Sequence, residues 1–239
     1  MSILLYAEYA EGKFRKVAFE LASYAKKVAD SLGTTVTAVT VNAGDVSELS
    51  KYGVDKVLKV TNETLAGFSA KAYADVIQQA AQKENAKLIL LSSTTDSIYL
   101  APLVAVSLEA GFVSNVVGLP LNTEPFQVKR TAFSNKAFNI TEINTDVKIV
   151  SLAKNSYGVF ESASAATEED FVPSLNDADF NVKVESVEKS TGKVTIADAD
   201  VVVSGGTLSN FTGSGSAYAA TFTASLNFTG TASIKVASG

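Results

Sequence analysis

Between Ile3 and Leu108, short apolar, β-branched runs alternate with segments whose apolar residues recur at helical spacing. That alternation restricts the chain to a layered strand–helix–strand architecture. Ile3 to Ala7 reads as a buried opening strand. Phe14, Val17, Ala18, Leu21, Ala25, Val28 and Leu32 outline a helix, with Lys16, Glu20, Lys26, Lys27 and Asp30 on its other faces. Gly33 stands where a left-handed residue ends such a helix. Thr35 to Val41 and Lys56 to Val60 read as strands, and Asp45 to Tyr52 as a short helix with Asp45 as N-cap. Phe68, Ala72, Val76, Ile77 and Ala80 mark the next helix. Leu88 to Leu91 is a continuous apolar run, the pattern of a parallel strand covered on both faces. Asp96 is placed to cap a helix carrying Leu100, Val104, Ala105 and Leu108. The expected fold class is α/β, with a doubly wound, mostly parallel sheet.

After Gly111 the rhythm changes. Val113 to Leu119, Phe126 to Phe133, Ala137 to Ile143 and Val147 to Leu152 are candidate strands with short polar connections, expected to extend the same sheet in part antiparallel. Glu161 to Asp179 is acidic, holds no Lys or Arg, and is expected to be exposed. Asn181 to Glu188 and Ala199 to Val203 read as further strands, the second ending at Ser204-Gly205-Gly206. Beyond that point the composition breaks: residues 207–239 are rich in Ser, Thr, Gly and Ala and hold one charged side chain, Lys235. The expected division is residues 1–206 and a short all-β tail, 207–239.

The residue inventory excludes much chemistry. The chain has no Cys, His or Trp, which removes thiolate or imidazole metal sites, thiol redox chemistry, and Ser–His or Cys–His catalysis. Carboxylates, Lys, Tyr, Ser and Thr remain, or a borrowed cofactor. A formal charge of −5 disfavours nucleic acid as a partner. The opening residues lack a basic leader and a long apolar run, so a cytoplasmic location and no membrane span are expected.

Few segments suggest a site. The connection Glu8 to Lys13 holds only Gly12, and Glu8 and Glu11 would repel a phosphate, so a nucleotide cradle there is disfavoured. Ser92-Ser93-Thr94-Thr95-Asp96 follows the fourth strand, where open α/β sheets bind ligands; it reads as a capping loop, or as a holder of a phosphate or a partner loop. Lys129, Arg130 and Lys136 flank an expected hairpin turn at Ser134-Asn135. They either blunt an edge strand or serve a domain or subunit contact, so Lys129, Arg130, Asn135 and Lys136 form the candidate partner interface. Glu168-Glu169-Asp170 reads as a solvated acidic run rather than a metal site, since consecutive carboxylates do not converge without a framing loop. No catalytic, cofactor-binding or metal-ligating residue stands out.

Several segments taken in order resemble the N-terminal domain of the electron-transfer flavoprotein alpha subunit. They are Ile3-Leu4-Leu5-Tyr6-Ala7-Glu8, Ala86-Lys87-Leu88-Ile89-Leu90-Leu91, Leu100-Ala101-Pro102-Leu103-Val104-Ala105, Lys129-Arg130-Thr131-Ala132-Phe133-Ser134-Asn135-Lys136-Ala137, and Ala199-Asp200-Val201-Val202-Val203-Ser204-Gly205-Gly206. The resemblance covers residues 1–206. It implies a Rossmann-like, adenine-nucleotide-hydrolase-like sheet. It also implies electron carriage between flavin dehydrogenases and an acceptor, in a heterodimer with a beta subunit, through FAD. In that family FAD sits chiefly on a C-terminal domain that opens Ser-Gly-Gly-Arg-Gly. Here Gly206 is followed by Thr207-Leu208-Ser209-Asn210, and the later flavin motifs do not occur. FAD is therefore implied by resemblance, yet no residue of this chain can be assigned to it. The chain is expected to be part of an electron-transfer system rather than a catalyst on its own.

The tail has its own resemblance. Gly206 to Gly215, Tyr218 to Thr223 and Asn227 to Val236 look like the last strands of a bacterial immunoglobulin-like repeat. Tyr218, Ala220, Phe222 and Ala224 alternate on one face, and Ala232, Ile234 and Val236 on another. Three strands are too few to close a sandwich core. Two alternatives stand beside the alpha-subunit reading: a nucleotide-binding α/β module, and an interaction protein acting through its β tail.

Overall fold

The computed structural model describes residues 2–182, 206–214 and 217–224. The strands expected at Asn181 to Glu188 and Ala199 to Val203, and the face of Ala232, Ile234 and Val236, lie outside the described residues, Asn181 and Val182 excepted. The chain divides into two compact units, Met1–Glu185 and Ser186–Gly239.

The first unit opens with β1 (Ser2–Tyr6), the two-residue strands β2 (Tyr9–Ala10) and β3 (Lys13–Phe14), and α1 (Lys16–Leu32). β4 (Thr35–Val41), β5 (Lys56–Val60), α2 (Ala70–Lys83), β6 (Leu88–Ser92) and α3 (Thr95–Ser107) follow. Then come β7 (Gly111–Val116), β8 (Asn122–Thr123), β9 (Phe126–Ala132), β10 (Ala137–Ile143), β11 (Lys148–Leu152) and β12 (Thr167–Asp170). The sheet order is β10-β9-β7-β11-β6-β1-β4-β5-β12, with β8 beside β9. β12, β5, β4, β1, β6, β11 and β7 run parallel, and β9 and β10 are antiparallel additions. This is the doubly wound sheet with a β extension that the apolar pattern predicts.

Alternation along the strands fills two cores. Ile3, Leu5, Leu88, Leu90 and Val150 face α1, with Leu21, Ala25 and Val28 packed against them. Leu4, Tyr6, Ile89, Leu91 and Ile149 face α2 and α3, meeting Val76, Ile77, Leu100 and Val104. The central strands are buried on both sides, so they read as unbroken apolar runs. Gly33 ends α1 in the left-handed conformation (φ 62°), and its N–H donates to the Ala29 carbonyl.

Three local expectations need correction. The segment after Asp45 is a 3-10 helix, Ser47–Lys51, with Val46 at its N-cap; the Asp45 carboxylate instead accepts the Ser47 N–H at 2.9 Å. The cap of α3 is Thr94, not Asp96, because its hydroxyl accepts the Ser97 N–H, and Asp96 lies in the first turn. Glu20 is buried at 4% exposure rather than on an open face of α1. Its Oε1 accepts the N–H groups of Tyr157 (2.8 Å) and Gly158 (3.0 Å), and Oε2 accepts that of Asn155 (2.9 Å). The chain leaving β11 is thereby fixed across α1.

The acidic run is largely exposed, as expected, and it is ordered as a strand. Glu168, Glu169 and Asp170 lie in β12, parallel to Lys56-Val57-Leu58-Lys59 of β5. Lys56 Nζ meets Glu169 at 2.7 Å and Glu84 at 2.8 Å, Lys83 meets Glu169 at 2.7 Å, and Lys59 meets Glu168 at 3.3 Å. The run pairs because the adjacent strand and α2 supply lysines. Its charge also blunts a sheet edge.

In the second unit β13 (Gly206–Ser214) pairs antiparallel with β14 (Ala217–Ala224), placing Gly206 opposite Ala224 and Ser214 opposite Ala217. The expected division at Gly206 and the unit boundary after Glu185 differ, and the residues from 183 to 205 lie outside the described set.

Candidate partner interface and the carboxyl end of the sheet

The hairpin of β9 and β10 presents the cationic segment. Phe133, Ser134 and Asn135 all take positive φ (50°, 52° and 66°), and the Lys136 N–H donates to the Phe133 carbonyl at 3.2 Å, so the turn sits where the sequence places it. Asn135 and Lys136 are exposed at the tip. Lys129 and Arg130 occupy successive positions of β9 opposite Ile140 and Asn139, so they leave opposite faces of the hairpin. Lys129 Nζ stands 4.0 Å from the centroid of the Phe138 ring, a cation–π contact. Arg130 shares the other face with buried Phe126 and Val128, which belong to the α1-side core. The four candidate residues thus divide into one face (Lys129), the opposite face (Arg130) and the tip.

Sequence reasoning missed the apolar part of this surface. Phe138 and Ile140 alternate with Ile143, which packs in the α1-side core, so both project to the side of the sheet that α2 and α3 cover elsewhere. Phe138 is 63% and Ile140 62% exposed. On the same side α3 buries Ser97, Leu100, Ala101 and Val104 and leaves Ile98, Tyr99 and Val106 in solvent, with Val106 at 79% exposure. The helix is apolar nearly all round, so periodicity gives no means of separating the covered stripe from the open one. Among the described residues, large exposed apolar side chains concentrate on α3 and this hairpin. Such concentrations mark contact surfaces.

The Ser/Thr loop after β6 is engaged internally. Ser92 Oγ donates to the Val17 carbonyl (3.3 Å) and Ser93 Oγ lies 2.9 Å from Ser151 Oγ. The Thr94 hydroxyl donates to Glu8 Oε1 at 2.6 Å while accepting the Ser97 N–H at 3.3 Å. Glu8 follows β1, is 5% exposed, and has Arg15 Nη1 3.4 Å from its second oxygen. Burial pushes the Glu8 carboxyl up from its usual range, opposed by the Thr94 hydrogen bond and the Arg15 charge. Nearby Tyr6 is pushed well above the usual phenol range, chiefly by burial. Burial also raises Tyr73 to about 12, and its hydroxyl donates to the Leu65 carbonyl at 2.9 Å. Neither tyrosine is activated as a nucleophile or base at neutral pH.

A separate cavity of about 770 Å³ is lined by Thr64, Gly67, Phe68, Ser69, Phe180 and Val182, among others. Its wall is held by Ser69 Oγ, which donates to the Asp179 carbonyl (2.7 Å), and by Lys71, which pairs with Asp75 and Asp179.

The family model for the electron transfer flavoprotein domain matches residues 3–179, and that for the bacterial Ig-like domain matches residues 174–239. Among curated proteins, the electron transfer flavoprotein subunit alpha of Thermoanaerobacterium thermosaccharolyticum is 29% identical over 215 residues, covering 85% of this chain and 64% of the relative. The subunit of the same name from Clostridium acetobutylicum is 30% identical, covering 84% of this chain and 57% of the relative. That from Megasphaera elsdenii is 30% identical, covering 85% and 63%. The chain therefore spans less than two thirds of the length of these relatives. Among the described residues no helix is long and apolar enough to cross a membrane. With the doubly wound sheet in place and the family model spanning most of it, the chain belongs to the electron transfer flavoprotein domain family.

Proposed function

We propose that this chain is the partner-binding half of an electron transfer flavoprotein alpha subunit, docking a beta subunit through the β9–β10 hairpin and the open face of α3. The observation that carries the reading is the concentration of exposed apolar side chains on those two elements, on one side of the sheet, beside Lys129 and Lys136. An apolar centre rimmed by cations suits a stable protein contact. Lys129 on that face and Asn135 and Lys136 at the tip contribute the rim, while Arg130 of the candidate set leaves the opposite face. In the assembled complex the chain would serve cytoplasmic electron transfer from flavin dehydrogenases, with neither nucleic acid nor membrane as a partner.

FAD enters through the family. The carboxyl end of the sheet fits it poorly, because the buried Glu8 carboxylate stands where a dinucleotide would bring its pyrophosphate. The reading therefore assigns FAD to no residue among 2–182, and the chain has no redox step of its own. The Ig-like match at residues 174–239 favours a second contact, made through the β tail and separate from the first. The division into residues 1–206 and 207–239 belongs to this proposal.

Co-expression with an electron transfer flavoprotein beta subunit tests the first contact. A stoichiometric complex on gel filtration is expected, while the chain alone shows no flavin absorption bands. Failure to form the complex, or a stoichiometric flavin spectrum from the chain alone, contradicts the reading. Deleting residues 207–239 is expected to leave beta-subunit binding intact.

A further inference from the structure

The two edges of the large sheet differ in chemistry. β12 ends one edge with three acids in four residues, Glu168, Glu169 and Asp170. β10 ends the other, and among the described residues no strand lies beyond it. Its seven residues hold one charge, Glu142, and no proline. Its register with β9 runs through seven consecutive pairs without a bulge. Charge, proline or a bulge is what normally protects such an edge from pairing with another chain. β10 instead carries Phe138 and Ile140 in solvent.

The register fixes which of its backbone groups are open. In β9 the carbonyls of Gln127 and Lys129 accept the N–H groups of Leu121 (2.8 Å) and Val117 (3.0 Å), so they turn away from β10. In an antiparallel pair a residue points its N–H and C=O the same way, and two opposed residues either exchange both bonds or both turn away. Glu142 and Ile140 stand opposite Gln127 and Lys129, so they turn their N–H and C=O to the open edge, and Phe138 follows by alternation. The side chains of these three residues share one face with Lys129. Lys129 Nζ stands 4.0 Å from the Phe138 ring centroid. The Glu142 carboxylate accepts the neutral Gln127 amide at 2.8 Å and forms no ion pair among the described residues.

We infer that β10 is a self-complementary edge, which pairs antiparallel with β10 of a second copy of this chain about a two-fold axis at Ile140. That axis sets Ile140 opposite Ile140 and Phe138 opposite Glu142 of the second copy. These are the positions with open backbone groups, so each free N–H meets a free C=O. Glu142 of the second copy then arrives one strand spacing, about 4.8 Å, from Phe138, where Lys129 supplies the cation its carboxylate lacks. The two-fold axis repeats this pair on its other side. The edge belongs to the surface proposed for the beta subunit, so the two occupants exclude each other, and the homodimer is the state of the chain without that partner.

Sedimentation equilibrium of the full 239-residue chain tests the inference. The mass is expected to rise with concentration from that of a monomer to twice that value and no further. Ile140→Pro removes an outward N–H and leaves the ladder with β9 intact. It is expected to fold and to weaken dimerisation at least tenfold more than Ile140→Ala, which keeps that N–H. Glu142→Lys sets like charges together and is expected to weaken it at least tenfold, while Lys129→Glu/Glu142→Lys exchanges the pair and is expected to restore it. A wild-type chain that stays monomeric, or that grows beyond a dimer, overturns the inference. So does a dimer that Ile140→Pro weakens no more than Ile140→Ala. If Ile140→Pro does not fold, the charge exchange decides: recovery in the double variant supports the inference, and no recovery contradicts it. No beta subunit enters these measurements, so their outcome is independent of the beta-subunit reading.

Discussion

The Thr94 hydroxyl donates to the buried Glu8 carboxylate at 2.6 Å and accepts the Ser97 N–H at 3.3 Å, so one side chain joins the loop after β1 to the head of α3. Thr94→Ala removes the cap and leaves a buried carboxyl without its closest donor. A loss of about 2 kcal/mol is expected in urea unfolding, within the range for a cap plus a hydrogen bond to a charged group. Thr94→Ser keeps both bonds and should recover most of it.

Glu8 also sets a pH dependence. Its carboxyl is held above the usual range in the folded chain, mainly by burial. The folded state therefore keeps this proton to higher pH than the unfolded state does. The associated stability is complete below the usual carboxylate range and is lost as pH rises through the raised value. Urea titrations of wild type and Glu8→Gln should show wild type losing ground to the variant as pH rises across that interval. A gap that does not change with pH contradicts the assignment.

Glu169 has the opposite sign. Lys56 and Lys83 hold its carboxyl down at about 2. Its contribution is present above the usual carboxylate range and disappears as pH falls from there towards 2. Glu169→Gln should lower Tm slightly at neutral pH, as expected for a partly exposed pair, and the difference should close in acid and shrink in high salt.

Glu20 ties α1 to the segment after β11 through three backbone N–H groups. Glu20→Ala strands those donors and is expected to cost about 3 kcal/mol, since each bond to a charged acceptor exceeds a neutral one. Hydrogen exchange should accelerate first at Asn155, Tyr157 and Gly158. Uniform acceleration across the sheet instead would show that the glutamate serves general packing.

Much of the sheet was legible because buried parallel strands write themselves as apolar runs. Thr35–Val41, Lys56–Val60 and Ala137–Ile143 begin and end where the pattern places them. What escaped depends on tertiary neighbours. Glu20 looks like any polar residue on a helix until the chain after β11 returns to it. The acidic run at Glu168 becomes a strand only because β5 and α2 offer Lys56, Lys59 and Lys83. Thr94 and Asp96 are both capping types, and only the backbone chooses between them. The cations of the hairpin could be seen in the sequence. The open face of α3 could not, because Ile98 and Leu100 carry the same apolar signal and differ only in what covers them.

The docking surface gives the most direct test. Affinity for an electron transfer flavoprotein beta subunit should be measured for wild type, for Lys129→Glu/Lys136→Glu and for Phe138→Ser/Val106→Ser, with each variant's fold checked by circular dichroism. The account predicts binding by wild type, folded variants, and affinities weakened more than tenfold, as expected for central apolar anchors and a charged rim. Folded variants that bind the beta subunit as tightly as wild type would contradict it.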